Sequence, residues 1–200
     1  MAMLDAVLCP EWQFRYYSFR AAWDVGEQMG SMRDGEGDDF FAHFSPIGCW
    51  LKGFAHESPM TPYRENPPRL WPGVLDAVPS EFKMCVEEPA FNSKDTTFCV
   101  WRRYSDNAWR IGPIDFPTGH PDPDGSKDLL SPLDGAPGTY LAWASEYYGR
   151  DDLRLTDVEH VYQHSPLTAE MVARLNPDLS LAALASDAIE IGYPSASEEA

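Results

Sequence analysis

Hydrophobic and polar residues alternate most clearly over residues 29–57, and this segment predicts a three-strand antiparallel meander. The first turn, 34–38, contains two glycines that can supply the positive φ angles of a tight reversal. The second turn, 45–48, contains a proline that presets the backbone and a glycine that closes the reversal. A four-residue loop at this turn predicts five cross-strand pairs. They are Phe44 with Cys49, His43 with Trp50, Ala42 with Leu51, Phe41 with Lys52 and Phe40 with Gly53.

This register sends alternate side chains to opposite faces of the hairpin. One face is apolar and is expected to lie on the core; it carries Phe40, Ala42, Phe44, Cys49 and Leu51. The other, here called the meander face, consists of Asp39, Phe41, His43, Trp50, Lys52, Phe54 and His56. Its mixture of rings and ionisable groups is typical neither of a core nor of a solvated surface. We therefore take the meander face as the candidate binding site; in the alternative, a helix or loop covers the rings while the polar tips reach water.

The remaining patterns place strands before residue 112 and helices after residue 126. Aromatic β-formers predict a first strand near 12–20, and five prolines make 58–73 an ordered loop. A short helix within 74–86, capped by Ser80, precedes a second hairpin. The strands of that hairpin are 96–104 and 108–112, and the later helices are expected at 127–133, 139–148, 156–164, 168–175 and 180–188.

The order of these elements predicts an α+β fold. An antiparallel sheet of meander and hairpin strands would come from the N-terminal half, and the helices would lie mainly in the C-terminal half. A chain of 200 residues with 44% hydrophobic content can build one core, so a single globular domain is expected over 1–194. Residues 195–200 are small and acidic and are expected to form a flexible tail.

Charge and cysteine content narrow the functional classes. The net charge of −17 disfavours binding to nucleic acid and to anionic membranes. No apolar run approaches the ~20 residues of a membrane span, and the N-terminus lacks the basic region of a signal peptide. Cys9, Cys49, Cys85 and Cys99 are widely spaced, which is typical of reduced thiols in a cytoplasmic protein. We expect a cytoplasmic protein with four free cysteines; its oligomeric state is left open.

Motifs of common enzyme classes are missing from the sequence. It contains no GxSxG elbow, glycine-rich phosphate loop, CxxC pair or zinc cysteine set. The two acidic loops, 34–38 and 115–126, lack the spacing of an EF-hand. His160 and His164 stand four apart, a spacing that can bind metal, but no third ligand is near and a basic last turn suits a helix. No cofactor or metal is therefore predicted.

A basic cluster occurs in the second hairpin of this acidic chain. It consists of Arg102, Arg103 and Arg110. The cluster could hold an anionic ligand or pair with acids such as Asp106, and ion pairing is the more common arrangement at a surface.

Two functional hypotheses follow from these observations. The favoured one is a non-catalytic, bacterial-type protein-interaction module of the immunity or antitoxin kind, which binds a basic protein partner through an acidic, aromatic-rich surface. The alternative is a hydrolase-like enzyme that uses Asp39, His43 and His56. Geometry separates the two, because catalytic side chains must lie within hydrogen-bond reach in a cleft.

Overall fold

The computed structural model describes residues 1–194 and has the α+β fold that the sequence predicts. One antiparallel sheet contains five strands in chain order: β1 (Tyr17–Asp24), β2 (Glu27–Arg33), β3 (Asp39–Ser45), β4 (Gly48–Phe54) and β5 (Phe98–Arg103). The α-helices of the described chain are α1 (Ala2–Leu8), α2 (Lys83–Glu87), α3 (Ser126–Leu130), α4 (Pro137–Tyr147), α5 (Leu155–Tyr162), α6 (Ala169–Leu175) and α7 (Ala185–Ile191). Most of the helices therefore follow the sheet along the chain.

The chain divides into two compact units. Residues 23–131 form the sheet unit, and residues 1–22 with residues 132–194 form the helical unit. The single domain expected over 1–194 stays a prediction, and the expected tail at 195–200 lies outside the described residues. None of the described helices combines the length and the apolar character needed to cross a membrane.

The meander forms with the predicted register. All five predicted pairs between β3 and β4 are present, and the ladder continues to Ser45 opposite Gly48. In the first turn, one Asp34 carboxylate oxygen accepts hydrogen bonds from three successive backbone amides at 2.8–2.9 Å. A Cβ at Gly48 would lie 2.1 Å from the carbonyl oxygen of Arg102 on β5, so this position has room only for glycine. Local hydrogen bonds to Asp34 thus set the first reversal, and the close approach of β5 requires glycine in the second.

Two β predictions need correction. The strand expected near 12–20 begins only at Tyr17, because residues 12–14 form a 3₁₀ turn whose amides bond locally, as in Arg15 N to Trp12 O at 3.2 Å. The second hairpin is reduced to a two-way backbone bridge between Trp101 and Arg110, at 2.8 and 3.0 Å. The chain then turns away at Gly112 and Pro113, and proline has no amide with which to extend the ladder.

One helix prediction also needs correction, and one helix was not predicted. The helix expected within 74–86 starts late, with a 3₁₀ turn over Ser80–Phe82 followed by α2, because Pro79 sits in an extended conformation ahead of it. Helix α1 is missing from the sequence-based description. Further along, Thr168 caps α6 as expected, since its hydroxyl accepts a hydrogen bond from Met171 N.

The core of the sheet unit lies on the same side of the sheet as the meander face. Phe91 is at its centre, with ring centroids 5.6 Å from Trp50, 5.8 Å from Trp23 and 5.5 Å from Phe41. The buried members of this core are Met29, Trp50, Met60, Val74, Phe82, Cys85, Phe91, Cys99 and Trp101. Several of them come from the chain between β4 and β5, which therefore supplies the cover over the sheet.

Candidate functional site

The meander face is divided between the core and one end of the sheet. Trp50 and Lys52 are completely buried, and His43 and Phe54 are nearly so. The other members are more accessible: Asp39 and Phe41 are half-buried and His56 is exposed. The rings of Phe41, His43 and Trp50 all face Phe91, so a later segment covers this part of the face.

His43 belongs to a buried hydrogen-bonded chain. Its Nε2 lies 2.9 Å from Glu27 Oε2, and its Nδ1 lies 3.3 Å from the Cys85 sulfur. This connectivity matches the nucleophile, base and acid of a cysteine hydrolase. Burial, however, raises the pKa of Cys85 to about 12, so the thiol stays protonated and is a poor nucleophile. Only 3% of Cys85 is exposed, so a substrate cannot reach its thiol. These contacts instead satisfy the hydrogen-bonding groups of a histidine in the core.

The sequence-based reasoning did not include Glu27 or Cys85. A signal for Glu27 existed, because β2 pairs with β3 so that Met29 lies opposite His43. Glu27 then lies diagonally across from His43 on the same face. Cys85 has no such signal, since it reaches His43 from a helix 42 residues along the chain.

Asp39 and Lys52 form an ion pair at the border of the core. The Lys52 ammonium donates to Asp39 Oδ1 and to the Asp95 carbonyl oxygen, both at 2.8 Å, and lies 5.3 Å from the Phe41 ring centroid. Burial raises the pKa of Asp39, an effect that Lys52 opposes and that the nearby Asp95 and Asp38 carboxylates reinforce. Three carboxylates thus crowd together at this end of the sheet.

His56 lies beside the same carboxylates and binds Asp38. Its Nδ1 is 2.6 Å from Asp38 Oδ1, and its backbone amide donates to that oxygen at 2.8 Å. The hydrogen bond with Asp38 raises the pKa of His56. Asp39, His43 and His56 therefore have three separate sets of partners, and the structure does not bring them together as a catalytic group.

An open groove of about 580 Å³ adjoins this end of the sheet unit. It is lined by Tyr63, Pro68, Leu70, Asn92, Lys94 and Asp95. Within it, Asp95 accepts hydrogen bonds from the Tyr63 hydroxyl and the Asn92 side-chain amide, each at 2.7 Å. The Tyr63 ring also contacts Phe54 of the meander face, with 6.1 Å between centroids. We call the surface of Asp38, Asp39, Asp95 and Tyr63 the acidic end.

The sequence predicts this surface only in part. The predicted site includes Asp39, Lys52, Phe54 and His56, and the proline-rich loop 58–73 is expected to be ordered. None of the residues that line the groove was predicted as a site residue. Long irregular connections often carry function, and that was the available signal for Tyr63, Pro68 and Leu70. The residues from 92 to 95 carry no comparable pattern.

The other candidate groups have ordinary partners. His160 Nε2 lies 2.8 Å from the Pro166 carbonyl oxygen, whereas His164 has a left-handed backbone and stacks on Tyr193, so the two imidazoles do not converge. Within residues 1–194, no three histidine, cysteine or acidic side chains are grouped to hold a metal ion.

Two arginines of the basic cluster bind groups of their own chain. Arg103 pairs with Glu81 at 2.9 Å, and Arg102 Nε donates to the Asp106 carbonyl oxygen at 3.2 Å. The free state predicted for all four cysteines is confirmed.

Comparisons with protein-family models, with curated proteins and with solved structures each found no match. The acidic end and its groove are therefore the features from which we infer a function.

Proposed function

We propose that this protein is a non-catalytic interaction module of the immunity or antitoxin kind, which binds a basic partner protein through its acidic end. The observation that carries the proposal is the grouping of three carboxylates, Asp38, Asp39 and Asp95, at one end of the sheet. Burial is the main cause of the raised pKa of Asp39, and the charges of Asp95 and Asp38 add to it while Lys52 opposes it. A cationic group from a partner would relieve this repulsion.

The acidic end also has the composition of a protein interface. Tyr63 is 57% exposed beside Asp95, and tyrosine supplies large contact area at low entropic cost. The net charge of −17 adds a long-range field that steers a basic protein toward the molecule. Attraction of this kind speeds association and weakens with added salt.

The alternative hydrolase gains no support from the arrangement of the described residues. Asp39 binds Lys52, His56 binds Asp38, and His43 is buried between Glu27 and a protonated thiol. General acid–base catalysis needs such groups within reach of one substrate.

The test is affinity capture from the native host with a charge-matched pair of variants. Asp38→Asn with Asp95→Asn removes two charges from the acidic end, whereas Glu87→Gln with Glu170→Gln removes two charges from exposed helical ion pairs. We expect the wild type and the control variant to retain a basic protein at about 50 mM salt and to lose most of it at about 300 mM. Equal retention by the acidic-end variant would contradict the proposal.

A further inference from the structure

Asp95 differs from its neighbouring carboxylates in having no cation. Asp39 binds the Lys52 ammonium and Asp38 binds the His56 imidazole. Among the ion pairs of the described chain none involves Asp95, whose two oxygens instead accept from the neutral donors Tyr63 and Asn92. Each carboxylate oxygen can accept two hydrogen bonds, so one acceptor position on each remains.

The chain holds this carboxylate in a fixed place. Its two neutral donors come from two separate segments that precede it, Tyr63 from the proline-rich loop and Asn92 from the turn before β5. The backbone of Asp95 is anchored as well, because its carbonyl accepts from the buried Lys52 and its amide donates to Asn92 O at 2.9 Å. Asn92 itself has a positive φ of 45°, an uncommon conformation that places its side chain toward Asp95. A binding group held in this way loses little freedom when a ligand arrives.

We infer that the groove binds the guanidinium of an arginine side chain presented by the basic partner; this inference rests on the proposed function. The two remaining acceptor positions on Asp95 match the two parallel donors of a guanidinium. The exposed Tyr63 ring offers a face for stacking, which a planar guanidinium uses better than an ammonium. Pro68 and Leu70 provide apolar walls for the methylene stem of the side chain.

The same loop already contains one guanidinium bound in this manner. Arg64 lies 4.8 Å from the Trp71 ring centroid and pairs with Glu65 at 3.2 Å, while its other hydrogen bonds go to backbone carbonyls. A ring and a carboxylate are thus the recognition elements for arginine in this part of the fold. Tyr63 and Asp95 repeat that combination in the open groove, where none of the arginines of the described residues pairs with Asp95.

Lys94 provides an internal test of the sign of the ligand. Lys94 and Asp95 are the two charged residues of the groove lining. Within residues 1–194, Lys94 takes part in no ion pair. Its ammonium would repel a bound guanidinium and attract a bound anion. Removal of the Lys94 charge and removal of the Asp95 charge must therefore change the affinity in opposite directions, and the direction identifies the ligand as cation or anion.

The experiment uses the whole protein and three peptides that alternate glycine with arginine, lysine or citrulline, observed by NMR at low salt. We expect the arginine peptide to bind with chemical-shift changes at Leu70 and Asn92, and the uncharged citrulline peptide to bind about tenfold more weakly. Asp95→Asn should weaken arginine binding about tenfold, whereas Lys94→Gln should strengthen it about twofold. Glu87→Gln, which removes an exposed charge of α2 outside the groove lining, should leave it within about twofold of the wild type.

The outcomes separate this inference from the proposed function. Equal affinity of wild type and Asp95→Asn for the arginine peptide would overturn it, as would weaker binding of that peptide by Lys94→Gln. Equal binding of the lysine and arginine peptides would overturn the choice of a guanidinium. The host partner could be captured in a salt-sensitive way while Asp95→Asn and Lys94→Gln have no effect on the binding of the arginine peptide. In that case the proposed function stands and the groove is not its arginine site. Lys94 is exposed, so its variant keeps the test valid even if Asp95→Asn unfolds.

Discussion

Trp50→Ala distinguishes a core residue from a binding residue on the meander face. Trp50 is completely buried, lies opposite His43 on β3 and Trp101 on β5, and stacks on Phe91. The whole indole is therefore enclosed by the sheet and the segment that covers it. Its truncation should act on the stability of the sheet unit and leave the acidic end intact.

The expected loss can be estimated from burial. A buried tryptophan removes roughly 150–250 Å² from water, and at about 25 cal/mol per Å² this corresponds to about 4–6 kcal/mol. Alanine keeps a small part of that area, the neighbours partly relax into the cavity, and large-to-small core changes of this kind cost about 3–5 kcal/mol. Trp50→Phe keeps a ring against Phe91 and should cost about half as much.

The assay is urea unfolding of the wild type and both variants, combined with partner capture at matched concentrations of folded protein. We expect the midpoint to fall in the order wild type, Trp50→Phe, Trp50→Ala at similar m-values, with unchanged capture by the folded fraction. If the free energy of unfolding of Trp50→Ala lies within about 1 kcal/mol of the wild-type value, the indole is not part of the core. If a variant of normal stability no longer captures the partner, the indole instead belongs to the binding surface.

Three further predictions follow from the buried and the paired ionisable groups. Burial raises the pKa of Asp5 from 3.8 to about 6, so between these values the native protein binds more protons than the unfolded chain does. Its free energy of unfolding should therefore fall as the pH rises from about 4 to 6. Urea unfolding should show a fall of about 3 kcal/mol that is absent in Asp5→Asn. Burial raises the pKa of all four thiols, but only Cys85 and Cys99 are almost fully enclosed, so these two should react slowest with a disulfide reagent in the native protein. A reductant-free titration in denaturant that finds fewer than all the thiols would mean a disulfide. His56 should titrate above its ordinary pKa in NMR spectra and move back toward it in Asp38→Asn, whereas equal titration in both proteins would show that their hydrogen bond is absent in solution.

The register of β3 against β4 was accessible from the sequence because it depends on local chemistry. The glycines of the first turn and the Ser45–Gly48 reversal set the pairing, and strict alternation then assigned every side chain of β3 and β4 to a face. Alternation cannot tell which face is covered. That depends on Phe82 and Phe91, which come later in the chain and follow a proline-rich segment without periodicity.

Long-range hydrogen bonds explain why α1 was missed. Asp5 interrupts an apolar run and looks incompatible with a buried helix. In the structure, its carboxylate accepts from the Tyr17 amide at 2.7 Å and from the Tyr140 hydroxyl at 2.5 Å, 135 residues away. A buried carboxylate is tolerated when such donors surround it, and these donors cannot be read from the neighbouring sequence.

Burial also decides which polar groups remain available for binding. His43 and Lys52 looked like the most chemically active members of the meander face, yet both are enclosed and fully engaged with partners of their own chain. Asp95 had no distinguishing pattern in the sequence, but Lys52 binds its backbone carbonyl and leaves its carboxylate to neutral donors in an open groove. A carboxylate without a cation keeps its full charge for a ligand, whereas a paired one must first give up its partner. The proposed arginine site therefore depends on the position of a single lysine, which binds the side chain of Asp39 and not that of Asp95.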